Sequence, residues 1–571
     1  MQYQWQIKPT SNAKAIEKLS EQLNNLDPTL TNILLQRGID TFEKAKDFFR
    51  PDLNNIHDAF LMKDMDKAVD RLIKAIDNNE KILIYGDYDV DGTTSVALVY
   101  AYLKNHYDNL TYYIPDRYAE GYGVSYQGID FAKENDFKLI IALDCGIKAI
   151  EKVAYAKEKG VDFIICDHHR PGDEIPDAVA VLDPKRKDCN YPYKELSGCG
   201  VGFKLMQAWT QKNNYDEELL FSYLDLLAIS ICADIVPITE ENRIFVYYGL
   251  KVLNQLNRPG IKVLVNLTNN KKEFTVSDVV FSIAPRINAA GRLKSGNKAV
   301  ELLVADNDDD AIDYGNGINE LNTDRKDIDT SITQQALEII ENDQRFIKRK
   351  TTVVYKEDWH KGVVGIVASR LIETHYKPTI VLTHSDGKVT GSARSVRDFD
   401  VYNAIDACSD LLEQYGGHMY AAGLTLLPEN VPAFIDKFED IVSSTIEDHM
   451  LIPKLQIDAK LELIQINSRF YSILKQFAPC GPENMQPVFI SENLLTTDNI
   501  KIVGENHLKL DVYSPENLDL IIPCIAFRLG HFIDALQPGV LFSMVYTIEE
   551  NEWNNTKTLQ LNVKDIRLMG G

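Results

Sequence analysis

The sequence lacks any apolar run close to the roughly 18 residues that a membrane-spanning helix needs, so no such span is expected. Its first residues, MQYQWQIKPT, lack the charged-then-apolar pattern of a secretory signal, and the cytoplasm is the expected compartment. Eight cysteines are scattered over 571 residues without a C-x-x-C pair. That usage suits free thiols in a reducing compartment and argues against a zinc site. Positive charge is also scarce: 61 Lys and Arg against 84 Asp and Glu leave a net charge of −23. Such a chain does not attract nucleic acid through bulk electrostatics. A polyanion would have to be met in local basic clefts or through bound cations.

What remains is an ordinary globular composition on a chain too long for one hydrophobic core, so two to four domains are expected. Residues 1 to about 55 read as helical, with Ser11 or Asn12 capping SNAKAIEKLSEQL. Short apolar runs then alternate with helical patterns. KILIYGD (81–87) leads into TTSVALVYAYLKNHY, KLIIALDCG (138–146) into AIEKVAYAKEKG, and VDFIICDHH (161–169) follows. Ile-, Leu- and Val-rich strands alternating with helices predict a parallel sheet covered on both faces. Residues 305–345 carry no strand signal and read as a long connecting helix. A second α/β lobe is expected over 346–452. From about 455, short alternating strands such as HLKLDVYS and TLQLNVKDIRL predict a C-terminal OB-like β-barrel over 453–571. The fold class expected is therefore α/β with an added barrel.

The chemistry gathers at strand ends, where open parallel sheets bind ligands. IYGDYDVDGTTS (84–95) places Asp87, Asp89 and Asp91 at alternate positions directly after an apolar run. Like charges so close raise one another's pKa unless something positive sits among them. The same spacing opens an EF-hand loop, but the twelfth position, where that loop needs a bidentate Glu, is Leu98. A plain acidic turn is the other ordinary reading. Against it, DCG repeats a strand-end carboxylate at Asp144, CDHH sets Asp167 before His168 and His169, and Asp234 ends an apolar helical run before Pro237. Taken singly, Asp234 reads as a helix-end residue. Mixed carboxylate and imidazole donors suit Mn²⁺ or Mg²⁺. Two such cations about 3.5–4 Å apart activate water and neutralise phosphate oxygens, which points to phosphoester hydrolysis.

DYDVDG, DCG, DHH and ADIVP, in this order, resemble the four motifs of the DHH phosphoesterases. PDRYAEGYG (115–123), APRINAAGR (284–292), GSARS (391–395) and GGHMYAAG (416–423) narrow the resemblance to its RecJ branch, whose members are 5′→3′ single-strand-specific DNA exonucleases. The resemblance spans nearly the whole chain. It implies a DHH catalytic domain with the N-terminal helical segment over 1–304, the connecting helix over 305–345 and a DHH-associated substrate lobe over 346–452. Two bound cations, Mn²⁺ or Mg²⁺, are implied at Asp89, Asp91, Asp144, His168, His169 and Asp234, with Asp144 bridging and with Asp91, Asp144 and His169 as the catalytic group. Asp87 and Tyr85 stand behind these ligands. Many relatives carry a histidine ligand where this chain has Tyr85, which implies a water-completed shell or a weaker second cation.

For the substrate, the resemblance implies that Ser392, Arg394 and His418, with Arg286 or Arg292, grip a 5′-phosphate. Arg117 would contact phosphate and Tyr122 would stack on a base. Each has an ordinary alternative: Gly-Gly-His as a turn, Arg394 as a surface charge, Tyr122 as a packing residue. Lys501, His507 and Lys509 of the barrel would add strand contacts. The expected activity is metal-dependent 5′→3′ exonucleolytic hydrolysis of single-stranded DNA to 5′-mononucleotides in repair and recombination, by a monomer assisted by a helicase and a single-strand binding protein. Two rivals remain: a DHH phosphodiesterase of short RNA or cyclic dinucleotides, and a non-catalytic single-strand-binding scaffold.

Overall fold

The computed structural model describes residues 3–268, 273–553 and 556–569. Two compact units emerge. The larger comprises Gln6–Asn288, Gly296–Ile312 and Gln456–Gly571; the smaller comprises Met1–Trp5, Ala289–Ser295 and Asp313–Leu455. Among the described residues no helix is long and apolar enough to cross a membrane.

The larger unit contains a five-stranded, all-parallel sheet. Its strands are β1 (Lys81–Gly86), β2 (Leu110–Tyr113), β3 (Phe137–Leu143), β4 (Asp162–Cys166) and β5 (Ala180–Leu182), in the order β2-β1-β3-β4-β5. Helix α1 (Val90–Lys104) follows β1, and α2 (Gly198–Lys212) and α3 (Leu224–Ala233) follow β5. Ile82, Leu83 and Ile84 are fully buried although they point to alternate faces, as expected of a strand covered on both sides. Each such side chain contributes about 1.5–3 kcal/mol on burial. The strand order reverses between β1 and β3, and the crevice at such a switch point is where doubly wound sheets receive ligands. Asp87 and Asp144 follow these two strands directly.

The C-terminal barrel also lies in this unit. Strands Phe489–Val503, His507–Ser514, Asn517–Ala526, Thr556–Leu568 and Phe542–Trp553 pair in that order, and the first closes on the last. The N-terminal helices, grouped by sequence with the catalytic sheet, share a hydrophobic core with this barrel instead. Leu19, Leu30, Ile33 and Leu34 join Phe470, Phe477, Phe489 and Leu508 in one buried cluster. Asn12, as expected, caps the first helix, Ala13–Gln22. A strand, Gln4–Ile7, precedes it where only helix was predicted; its partner Lys454–Ile457 is over 400 residues away, beyond the reach of a local pattern.

The smaller unit holds a mixed sheet of β6 (Thr352–Tyr355), β7 (Thr379–Ser385), β8 (Lys388–Arg394), β9 (Gln414–His418) and β10 (Ala421–Leu426), ordered β9-β10-β8-β7-β6. Helix α4 (Val364–Thr374) packs against it through Val367, Ala368 and Leu371. The expected connecting helix is a single 35-residue element, Asp308–Asn342.

Within the larger unit, Arg243 joins catalytic, N-terminal and barrel segments. Its buried guanidinium donates to the carbonyls of Phe48, Gln476, Phe477, Ala478 and Pro479 at 2.9–3.3 Å. Arg243→Ala would leave those carbonyls without a donor, and a loss of about 3 kcal/mol or more is expected by denaturant unfolding. A change below about 1 kcal/mol would contradict this account.

Candidate metal centre

The sheet and its flanking helices bring the strand-end groups together. His168 Nε2 lies 3.2 Å from Asp144 Oδ1, 3.5 Å from Asp234 Oδ2 and 3.6 Å from Asp91 Oδ2. Two overlapping sets, Asp144/His168/His169 and Asp91/His168/Asp234, each offer three ligand atoms within 4.8 Å of one another. Asp144 adopts φ +57°, an uncommon left-handed conformation for a non-glycine residue, and its N–H continues the ladder to Cys166 O at 2.9 Å. Asp234 caps the end of α3, so its ordinary helix-end reading and its place in the cluster are both correct.

Asp91 is held by groups that the sequence reading missed. Helix α2 begins at LSGCG, and its first N–H groups, from Gly198 and Cys199, donate to Asp91 at 2.7 and 2.8 Å. Ser230 Oγ adds a 2.6 Å bond and is itself 2.6 Å from Ser197 Oγ. A helix N-terminus is a natural seat for a carboxylate. The capping Ser followed by glycines was the available signal. Asp89 lies outside both three-ligand sets; one of its oxygens caps α1 at Gly92 N–H, 3.0 Å away. Asp183, also unanticipated, follows β5, and burial pushes its carboxyl up to about 7.

The adjacent histidines differ. His168 directs Nε2 at three carboxylates, and its Nδ1 has no partner among the described residues. His169 engages both nitrogens, Nδ1 with Asp167 Oδ1 at 2.8 Å and Nε2 with the Tyr122 hydroxyl at 3.1 Å. Asp167 also accepts the N–H groups of Ile147, His168 and His169. Burial alone would raise the Asp167 carboxyl, but His169 and these backbone donors hold it at about 2. Arg117 stacks on Tyr88, 4.9 Å from its ring centre. Tyr122 keeps 55% of its surface exposed.

Tyr85 is buried, and its hydroxyl contacts Gly123 and Ser125. Burial raises its pKa further, so Tyr85 is a neutral phenol. In the same unit, Arg286 donates to the carbonyls of Ser282 and Leu267.

In the smaller unit, strand register gathers the other expected residues. Ala421 pairs with both His418 and Arg394, and Gly423 with both Gly416 and Ser392. Arg394 donates to Ser392 Oγ at 3.0 Å and to Ala393 O at 2.8 Å. Gly-Gly-His is thus the end of a hairpin strand. Gly417 has φ +150°, and a Cβ there would meet Ala421 O at 2.4 Å. The N-terminus of α4, within HKGVVGIVASR, comes close to Ser392 and Arg394: a Cβ on Gly365 would be 3.0 and 3.1 Å from their side chains. Arg292 donates to Gly362 O at 3.1 Å. This helix terminus was not singled out in the sequence, since only register reveals what it faces.

The electrostatics are severe. Burial, then repulsion from neighbouring carboxylates, pushes Asp87, Asp89 and Asp144 above the usual carboxylate range and Asp234 up to about 8. Burial would depress His169, yet the bonded Asp167 raises it to about 9. Asp234 and His169 therefore bind protons more tightly in the folded chain than in the unfolded one. The stability they contribute is complete below their unfolded values and is lost as pH rises through the folded ones. The unfolding temperature of the metal-free chain is expected to fall between about pH 7 and pH 9. A flat or rising midpoint across that window would refute the clustering of charge.

The chain matches the DHH family, N-terminal domain, over residues 81–231, the DHHA1 domain over 348–444 and the RecJ OB domain over 457–565. Single-stranded-DNA-specific exonuclease RecJ of Bacillus subtilis is 38% identical, covering 98% of this chain and 70% of that protein. The protein of the same name from Salmonella typhimurium is 32% identical, covering 96% and 97%. RecJ in complex with Mn²⁺ from Thermus thermophilus superposes with a TM-score of 0.85 at 25% identity, over 99% of this chain and 79% of that one. An exonuclease RecJ bound to manganese gives 0.59 at 31% identity, over 68% and 96%. The sequence motifs, the five-stranded parallel sheet with its strand-end carboxylates and the closed barrel agree with these matches: the chain belongs to the RecJ family.

Proposed function

We propose that this chain is a metal-dependent exonuclease that hydrolyses single-stranded DNA in the 5′→3′ direction to 5′-mononucleotides, in DNA repair and recombination. The observation that carries the reading is the convergence of His168 Nε2 on the carboxylates of Asp91, Asp144 and Asp234. The relatives bear the name of single-strand-specific exonucleases along nearly the whole of this chain, and two of the solved relatives hold Mn²⁺.

The residues fit a cation. One oxygen of Asp144 is buried without a hydrogen bond among the described residues, in a cluster of mutually repelling carboxylates that positive charge relieves. Oxygen donors with imidazole suit Mn²⁺ or Mg²⁺. Asp89, Asp91, Asp144, His168, His169 and Asp234 would hold two such ions. When bound, the ions supply Lewis-acid neutralisation of phosphate charge and activation of water. The chain's own contribution is orientation. Helix α2 and Ser230 fix the Asp91 carboxylate, while Asp167 and Tyr122 fix the imidazole of His169.

We assign recognition of the 5′-phosphate to Arg394, Ser392 and His418 with Arg292 and the N-terminus of α4, and a phosphate contact of its own to Arg286 of the larger unit. Arg117 and Tyr122 would meet the first nucleotides, and Lys501, His507 and Lys509 a more distant part of the strand. Lys501 stands directly across from Lys509 on neighbouring strands, an arrangement that an anion relieves. A monomer in the cytoplasm, assisted by a helicase and a single-strand binding protein, belongs to this reading.

Asp144→Ala is expected to cut Mn²⁺-dependent hydrolysis of an end-labelled single strand by more than about 100-fold while leaving the circular dichroism spectrum unchanged. Retained turnover would remove Asp144 from the centre. Arg394→Ala is expected to lower the preference for 5′-phosphorylated over 5′-hydroxyl strands about tenfold. An unchanged preference would exclude it from the phosphate site.

A further inference from the structure

Tyr85 stands two residues before Asp87, near the end of β1 and just ahead of the carboxylate cluster, yet its hydroxyl is committed elsewhere. It lies 3.0 Å from Gly123 O and 3.3 Å from Ser125 Oγ, and it accepts the Ser125 N–H at 3.1 Å. Gly128 makes room for the ring, since a Cβ there would come within 2.6 Å of Tyr85 Cε2. Register pairs Tyr85 with Tyr113 on β2, and the two rings stack with centres 5.4 Å apart and planes 18° from parallel.

Tyr113 extends the same grip. Its hydroxyl is 3.0 Å from each oxygen of Glu120, and that carboxylate also accepts the Asp116 N–H at 2.8 Å and Ser125 Oγ at 2.5 Å. The segment 116–125 is therefore closed at its entry through Asp116 and at its exit through Gly123 and Ser125. Between these points it bears Arg117, stacked on Tyr88, and Tyr122, bonded to His169.

We propose that Tyr85 is a substrate-positioning residue: with Tyr113 and Glu120 it fixes the 116–125 segment, so that Arg117 and Tyr122 are presented to the strand in one conformation. This rests on the proposed action on single strands. The hydroxyl lost in Tyr85→Phe orders a loop and does not bind an ion, so the variant separates the two roles.

In Tyr85→Phe, hydrogen exchange at the amides of 116–125 should accelerate. KM for a single-stranded oligonucleotide should rise about three- to tenfold, with kcat changed less than about twofold. The Mn²⁺ affinity measured by calorimetry should stay the same. Tyr113→Phe should give the same pattern, and it carries the test if Tyr85→Phe does not fold. Unchanged loop exchange, an unchanged KM in both variants, or a weaker Mn²⁺ affinity in Tyr85→Phe would overturn the proposal. If the unaltered chain hydrolyses no single strand, the proposed function fails, and the exchange measurement alone decides whether Tyr85 anchors the loop.

Discussion

Repulsion among buried carboxylates is the constraint around which the larger unit is organised. Asp87, Asp89, Asp91, Asp144 and Asp234 arrive from two strand ends, a helix start and a helix end, in surroundings that strip most of their hydration. Left ionised and unpaired, such a group costs several kcal/mol, and the chain relieves the cost unevenly. Asp91 and Asp167 are supplied with backbone and side-chain donors. Asp144 keeps one buried oxygen without a hydrogen bond among the described residues. That difference separates carboxylates whose orientation is fixed by the fold, the proposed ligand Asp91 among them, from one that keeps an oxygen for a cation.

The same division resolves the net charge of −23 in a chain whose relatives bear the names of DNA exonucleases. Attraction to a polyanion does not come from the protein's overall field. On the proposed function it would come from cations in the carboxylate cluster and from a few arginines set where glycine permits close approach. Gly365 illustrates the second device. Its missing side chain lets the positive end of α4 come up to Ser392 and Arg394, so three weak anion-attracting features act at one place.

Elements whose information is local were legible in the sequence. The apolar runs at 81–86, 137–143 and 162–166 are strands, Asn12 is a cap, and the polar stretch before 345 is one long helix. Asp144 and His168 were legible because each comes just after an apolar strand, and strand ends of a parallel sheet share one edge, whereas Asp234 ends an apolar helix. What escaped depends on partners far along the chain. Ser230 and the LSGCG turn look like helix interior and helix cap until folding sets them on Asp91, which lies 107 residues before Gly198. The N-terminal helices show an apolar stripe, but no periodicity reveals that the stripe meets a barrel more than 400 residues later. Arg286 shows how little a motif says of local bonding: its guanidinium also donates to two nearby carbonyls.

His168 and His169 show why a motif defines a site less sharply than its geometry does. Adjacent in sequence, they look equivalent as ligands. After β4 the chain turns around Asp167, whose carboxylate gathers the N–H groups of both residues, so the two imidazoles leave in different directions. One ring turns a nitrogen to three carboxylates, and its other nitrogen has no partner among the described residues. The other is held between Asp167 and the tyrosine of a substrate loop. His168 thus turns a nitrogen into the carboxylate cluster, whereas His169 also joins that edge of the sheet to the 116–125 segment. The order of the site therefore runs in part through side chains behind the ligands: Asp167 sets His169, His169 meets Tyr122, and Tyr85 contacts Gly123 and Ser125 of the loop that bears Tyr122.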